Sequence, residues 1–374
     1  MKQKLTILGL ILSLLAVPLL AACAQEAPTP VPAPVPTPVP TSKPPTPAPV
    51  PPSEDVYTLT MAIRAGKDYI SSMYSPPWFR FQEMVETRSN GRLKIDSKLD
   101  IIPIQDTPLA VSEGRFDMGM FYMNWFTGTW PEWSFQDIPF LWGRVPNGLI
   151  EYLRAVKDPR LFAIMQESFG NANMELLAIQ PKHTGSSIRW GMGPLRTVDD
   201  FKDVKIRANS QMVAWMLEAL GAKAITLQFK SFAEVPEWLA RGTVDQLVAD
   251  RTWAYSISVG DIATHINEWP LSTVFGTACV VNKDKWEELP PDLQQVLVDV
   301  AWDTADQVAY SAYVGAELIK MAAEYQGIEY IMPSEAEVSK ARELVRPLRQ
   351  KWIDLAAPYG EEIAKIAAEY ASGA

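Results

Sequence analysis

Apolar and polar positions along the chain alternate between two periods, and the switches mark a succession of short strands and helices. Tyr57 to Ile63 alternates as a strand does, and Pro76 to Thr87 places Trp78, Phe81 and Val85 at helical spacing. Asn90-Gly91 signals a turn into a second strand at Leu93 to Ser97, and a short helix around Pro108 to Ser112 leads to Gly114 through Met120. This β-α-β-α-β opening predicts an α/β domain with mostly parallel sheets and ligands at the strand ends. Helices are expected at about Asn147 to Val156 and Leu161 to Ser168, followed by a strand at Met174 to Ile179.

The central stretch, Leu195 to Leu227, reads as a strand from Val204 to Arg207, a helix from about Ser210 to Leu220, a stop at Gly221 and a strand through Ile225. Beyond it the pattern gives a helix at Ser231 to Ala240, a strand at Thr243 to Val248, and a β-rich run from Leu271 to Val281. A short helix at Lys285 to Leu289 precedes a long one from Pro290 to about Tyr325, a strand at Glu329 to Ile331, and helices from Ser334 onward.

The N-terminus follows a different logic. Lys2 and Lys4 precede an apolar run from Leu5 to Ala22 with no stop-transfer pattern after it, which reads as a signal peptide over residues 1–22. Leu20-Ala21-Ala22-Cys23 resembles a bacterial lipobox, so Cys23 is the expected lipidated residue and the membrane anchor. From Glu26 to Ser53 the chain is dominated by proline, a composition that favours an extended spacer at about 3.1 Å per residue. Residues 23–53 are therefore expected to tether a domain spanning 54–374, long enough to form two lobes.

Formal charge is −10, and loss of Lys2 and Lys4 with the leader moves it to −12. That balance argues against nucleic acid or an anionic lipid surface as a partner. With Cys23 committed to lipid, Cys279 stands alone in an apolar run and reads as buried filler. His183 and His265 are the two histidines, and neither has the spacing of a zinc site. Gly191-Met192-Gly193 has Arg196 where a dinucleotide fingerprint needs its third glycine. Acid pairs such as Glu132 with Asp137 match a glycosidase in residue type only. No metal, cofactor or catalytic role is expected.

Arg207 is the residue with the clearest candidate chemistry. At a strand end, just ahead of a helix capped by Asn209 or Ser210, its planar guanidinium is placed to grip a carboxylate through two parallel bonds. The competing reading is a surface arginine that covers the strand end with its stem. The aromatic run Phe121 to Trp142, with Trp125, Trp130, Trp133 and Trp142, fits a ligand pocket and a buried core equally well.

GRLKI (Gly91 to Ile95), EGRFDMGM (Glu113 to Met120), DIPFLW (Asp137 to Trp142), LRTVDDFKDVKIR, LEALGAKAI, FAEVPEWLARGTVD (Phe232 to Asp245) and VVNKDKWEELPPDLQQVL (Val280 to Leu297) occur in one order. That ordered set resembles the extracytoplasmic solute receptors of TRAP (tripartite ATP-independent periplasmic) transporters over nearly all the chain after the tether. The resemblance implies a periplasmic-binding-protein-like fold of two lobes, joined by strands and a long helix, that closes over a small organic acid and delivers it to a membrane permease. It implies that Arg207 pairs with the ligand carboxylate, with Arg189 the nearest match to a second arginine. It also points to Arg64, Tyr122 and Phe232 as ligand-facing positions. A sensory receptor that signals to a kinase would carry the same motifs, and a secreted hydrolase on this fold is the remaining alternative.

The departures carry information of their own. The family's VDGQENP is VDQLVAD here, Val244 to Asp250, which puts Ala249 where a polar side chain is common. Arg64 and Tyr122 replace small polar or acidic residues, and Trp125 and Trp253 lie nearby in sequence. Together they imply a larger, flatter or more aromatic acid.

Overall fold

The computed structural model describes residues 55–63, 75–99, 101–144, 147–183, 188–227, 229 and 232–372, with the backbone alone at 75–79, 182–183 and 188. The expected signal peptide, Cys23, the tether and Arg64 lie outside the described residues.

Two sheets organise the chain. The first has five strands: β1 (Tyr57–Ile63), β2 (Leu93–Leu99), β3 (Met118–Tyr122), β4 (Met174–His183) and β10 (Phe275–Asn282), in the order β2-β1-β3-β10-β4. The second has six: β5 (Ile188–Gly191), β6 (Lys205–Ala208), β7 (Lys223–Thr226), β8 (Gln246–Val248), β9 (His265–Glu268) and β11 (Glu329–Ile331), in the order β11-β9-β5-β8-β6-β7. Each sheet is parallel apart from one reversed strand. In the first that strand is β10, antiparallel to β3 and β4; in the second it is β5, antiparallel to β8 and β9. The chain crosses between sheets at β4 to β5 and again at β9 to β10. A strand that runs toward the crossing in one sheet must be followed by one that runs away from it in the other, which accounts for both reversals.

The carboxyl ends of the remaining strands therefore face the crossing, where open α/β sheets bind ligands. Successive strand residues point to opposite faces, so each sheet has an apolar cluster on either side. Met118, Met120 and Cys279 pack on one face of the first sheet, and Phe121, Ala278 and Val280 on the other. Trp190, Leu247 and Ile266 face one way from the second sheet, and Ile206, Ala208 and Val248 the other.

The 35-residue helix Pro291–Tyr325 serves both lobes. Leu293, Leu297, Val300 and Ala301 pack on the first sheet, while Ala323, near its far end, joins a cluster of the second. The C-terminal helices return: Val338, Ala341 and Val345 pack with the second sheet, and Trp352, Ile363 and Ile366 with the first.

Several expected elements shift. The helix expected at 231–240 forms over Glu234–Ala240, and the strand at 243–248 shortens to β8. His183, expected in a loop, ends β4. Gly221 stops its helix with φ of 92°. At Gly191 a Cβ would collide with the Gln246 carboxamide, which hydrogen bonds to Gly193 and Asn267 hold in place.

Candidate functional site

Arg207 lies in β6, three residues before the N-cap of the helix Gln211–Ala219. Ser210, not Asn209, is the cap, accepting a hydrogen bond from Val213 N at 3.2 Å. The side chain is 5% exposed, which removes the surface reading. Its guanidinium lies 5.8 Å from the Phe229 ring centroid. NH1 donates a long 3.4 Å bond to the Val248 carbonyl, and Nε is buried without a hydrogen-bond acceptor. No carboxylate among the described residues forms an ion pair with it. Burial pushes its pKa down to about 10, which still leaves it cationic at neutral pH.

Aromatic rings extend from this cation across the two lobes. Phe229 contacts Phe232 at 5.4 Å, Trp253 at 5.9 Å and Trp125 at 6.4 Å between centroids. Trp125 contacts Tyr122 at 4.8 Å, and Tyr122 contacts Phe275 at 4.9 Å. Trp125 packs against a cluster of each lobe, so the rings bridge the space between β3 and the second sheet. Four residues singled out in the sequence, Tyr122, Trp125, Phe232 and Trp253, are thereby joined in one chain of rings that reaches Arg207 through Phe229. Trp130 and Trp133 are not: they stack on each other at 4.2 Å, and Trp133 stacks on Phe169 at 4.1 Å, within the first lobe's core.

Trp253 is held by its helix start. Asp250 Oδ1 accepts from Thr252 N at 3.1 Å and Trp253 N at 3.0 Å, which fixes the helix Arg251–Ser256. The segment that departs from the family's VDGQENP thus supplies, in Asp250, the cap of the helix that carries Trp253.

Arg189 does not join Arg207. Arg189 pairs with Val248 across β8, while Arg207 pairs with the adjacent Leu247. Strand alternation sends the two side chains to opposite faces. Arg189 lies over Phe201 at 5.6 Å, fully buried, and burial brings its pKa down to about 9. The expected two-arginine grip is corrected on this ground.

Sequence reasoning passed over Asp137 except as a possible acid of an enzyme. It is fully buried and accepts three hydrogen bonds: from Asn124 Nδ2 at 2.7 Å, Ser210 Oγ at 2.7 Å and Ser272 Oγ at 3.0 Å. Burial raises its pKa, and the three donors offset part of that rise. Asn124 follows β3, Ser272 lies in the second crossing, and Ser210 starts the helix behind Arg207, so one carboxyl ties the crossing to the cation's support. Phe229 and Phe275 were also missed, since a lone phenylalanine in a strand-like run carries no sign of what its ring faces.

The other candidates are bound elsewhere. Glu132 accepts a hydrogen bond from Ser168, His265 Nε2 lies 3.2 Å from Glu329, and burial pushes the Cys279 thiol up. Among the described residues no cluster of acidic, histidine or cysteine side chains is arranged to hold a metal, and no helix is long and apolar enough to cross a membrane.

Residues 78–354 match the family model described as bacterial extracellular solute-binding protein, family 7. The chain is 26% identical over 237 residues to the 2,3-diketo-L-gulonate-binding periplasmic protein of Escherichia coli, covering 61% of this chain and 67% of that protein. Its fold matches a TRAP periplasmic solute-binding protein of Desulfovibrio salexigens with bound orotic acid, at a TM-score of 0.74 and 19% identity over 84% of this chain and 98% of the other. It also matches the sugar-acid-binding protein of Advenella mimigardefordensis in complex with galactonate, at a TM-score of 0.73 and 16% identity over 85% and 99%.

Proposed function

The chain belongs to family 7 of the bacterial extracellular solute-binding proteins, the receptors of TRAP transporters, and from that premise we propose that Arg207 captures the carboxylate of a small organic acid as the lobes close. The observation that carries this reading is a buried guanidinium with a long bond to one carbonyl and no ion pair to a carboxylate among the described residues. A ligand carboxylate completes it, because charge-assisted bonds strengthen where water is excluded. Tyr122, Trp125, Phe229, Phe232 and Trp253 form the ring-lined wall, and closure turns on the two strand crossings and the long helix.

The family is extracytoplasmic and its members are binding proteins. In this reading Cys23 carries lipid, the proline-rich tether spaces the receptor from the membrane, and the liganded form docks on the permease. The relatives that bind diketogulonate, orotate and galactonate take acids of different shapes, so the ring-lined wall of this chain is the feature that selects among them.

A thermal-shift panel of dicarboxylic, sugar, keto, branched and aromatic acids tests the assignment. An acid that raises the melting temperature of the protein and does nothing to Arg207→Ala supports it. An acid that stabilises both proteins equally sinks the role given to Arg207.

A further inference from the structure

Three buried polar atoms lie on or against the strand end that carries Tyr122. Tyr122, the last residue of β3, is in register with Thr277 of β10, and Thr277 is in register with Gln180 of β4. Residues in register on neighbouring strands share a face with Cβ atoms about 5 Å apart, so Tyr122, Thr277 and Gln180 form one row at the crossing end of the first sheet. Thr277 is 2% exposed and its hydroxyl has no hydrogen-bond partner; Gln180 is 1% exposed. Gln180 Nε2 donates to the Ala301 carbonyl at 3.3 Å, which leaves Oε1 as an acceptor without a donor. Trp125, whose ring touches Tyr122, has its indole N–H buried without an acceptor.

Folding leaves few buried polar groups unsatisfied, because each costs the desolvation of a hydrogen-bonding atom. Here Thr277 and Gln180, neighbours in one row, supply a hydroxyl able to play either part and an acceptor, and Trp125, packed on Tyr122 of that row, supplies an indole donor. A group that both donates and accepts completes all of them, and a hydroxyl or a ring amide is the smallest that does. Between that row and Arg207 the wall is made of aromatic rings packed at tilted and edge-on angles, an apolar lining that suits the flat body of a ring.

We propose that the ligand is a ring-bearing carboxylic acid with a hydroxyl or ring amide on the side remote from the carboxylate, read by Thr277, Gln180 and Trp125. This rests on the assignment of the carboxylate to Arg207. Thr277 and Gln180 are then specificity determinants: they reject the bare ring acid, which would leave them desolvated and unpaired.

Calorimetric titration of the full chain with benzoate, the three hydroxybenzoates and gluconate tests it. The best hydroxybenzoate is expected to bind about tenfold tighter than benzoate, the usual worth of one added hydrogen bond in a buried site. Thr277→Val should erase that preference, since it removes the hydroxyl that benzoate leaves unpaired, and Thr277→Ser, which keeps the hydroxyl, should retain it. Gln180→Met gives a second, independent loss. Equal affinity for benzoate and every hydroxybenzoate, tighter binding of gluconate than of any ring acid, or no binding by any probe overturns the proposal. Arg207→Ala separates the two levels: if it abolishes gluconate binding, the carboxylate anchor stands and only the ligand class is wrong.

Discussion

Two buried arginines of the second lobe, Arg207 and Arg251, sit in similar dryness and opposite company. Arg251, 3% exposed, donates to Glu268 at 2.7 Å and Glu317 at 3.0 Å, contacts the Tyr330 hydroxyl at 2.5 Å and lies over the Tyr330 ring at 5.3 Å. Arg207, 5% exposed, has one ring and a long bond to a carbonyl. A cation moved out of water must recover its lost hydration from a counter-charge and from hydrogen bonds. Arg251 recovers it inside the chain, across the junction of β9, β11 and the long helix. Arg207 finds no such counter-charge among the described residues, and in the proposed reading its partner arrives from outside. On that reading the difference separates an arginine that holds the lobe together from one that is kept ready.

The largest expected effect tests that division through stability. Arg251→Ala leaves Glu268, 6% exposed, as an uncompensated buried charge and should cost about 3–5 kcal/mol in chemical denaturation. Arg207→Ala removes a cation that has no carboxylate partner among the described residues, and the ligand-free protein should lose less than about 1 kcal/mol. Equal losses in the two variants would break the comparison. For binding, the order reverses. Arg207→Ala should weaken acid binding at least about 100-fold, corresponding to about 3 kcal/mol for a buried charge pair, whereas Arg251→Ala, if folded, should keep most of its affinity in calorimetry.

A smaller effect sharpens the role of geometry. Arg207→Lys keeps the charge but replaces a planar fork with a point charge on a flexible stem. Acid affinity should fall about tenfold, between wild type and Arg207→Ala. Full affinity in the lysine variant would mean that charge alone suffices and that no paired hydrogen bonding is made.

The sequence made these regions legible to different degrees, for physical reasons. β1 and the long helix were read with nearly their observed bounds, because seven alternating residues and 35 residues of sustained helical spacing dominate their surroundings. Arg207 could be placed at a strand end before a capped helix, since the cap residue and the glycine stop are local signals. Strands β5 and β9 were not read. Their sequences, IRWG and HINE, bury Arg189, Asn267 and Glu268, and a buried polar residue erases the alternation on which strand reading depends. Opposite facing of Arg189 and Arg207 follows from a one-residue difference in register on β8, a quantity that spacing along the chain does not contain. Resemblance supplied the neighbourhood of Tyr122 and Phe232, but Phe229, which touches the cation, belongs to no motif.

The smallest expected effect concerns Asp137, the carboxyl that links the crossing to the helix behind Arg207. Its native pKa is raised by burial above the unfolded value of about 3.9. A group shifted upward binds its proton more tightly in the folded protein, so its contribution to stability is full below the unfolded pKa and is lost as pH rises through the native one. Asp137→Asn keeps the shape and an acceptor oxygen but carries no titrating proton. Its stability at neutral pH should lie within about 1 kcal/mol of wild type, since one hydrogen bond to Asn124, Ser210 or Ser272 is exchanged or lost. Melting temperatures measured from neutral pH down toward pH 4 should then diverge, with wild type gaining on the variant as Asp137 takes up its proton. A constant gap across that range would show that Asp137 does not titrate in it. A large loss in the variant at neutral pH would instead show that the three donors hold a carboxylate, which would put a buried anion at the crossing and a second unpaired charge beside the one that Arg207 carries.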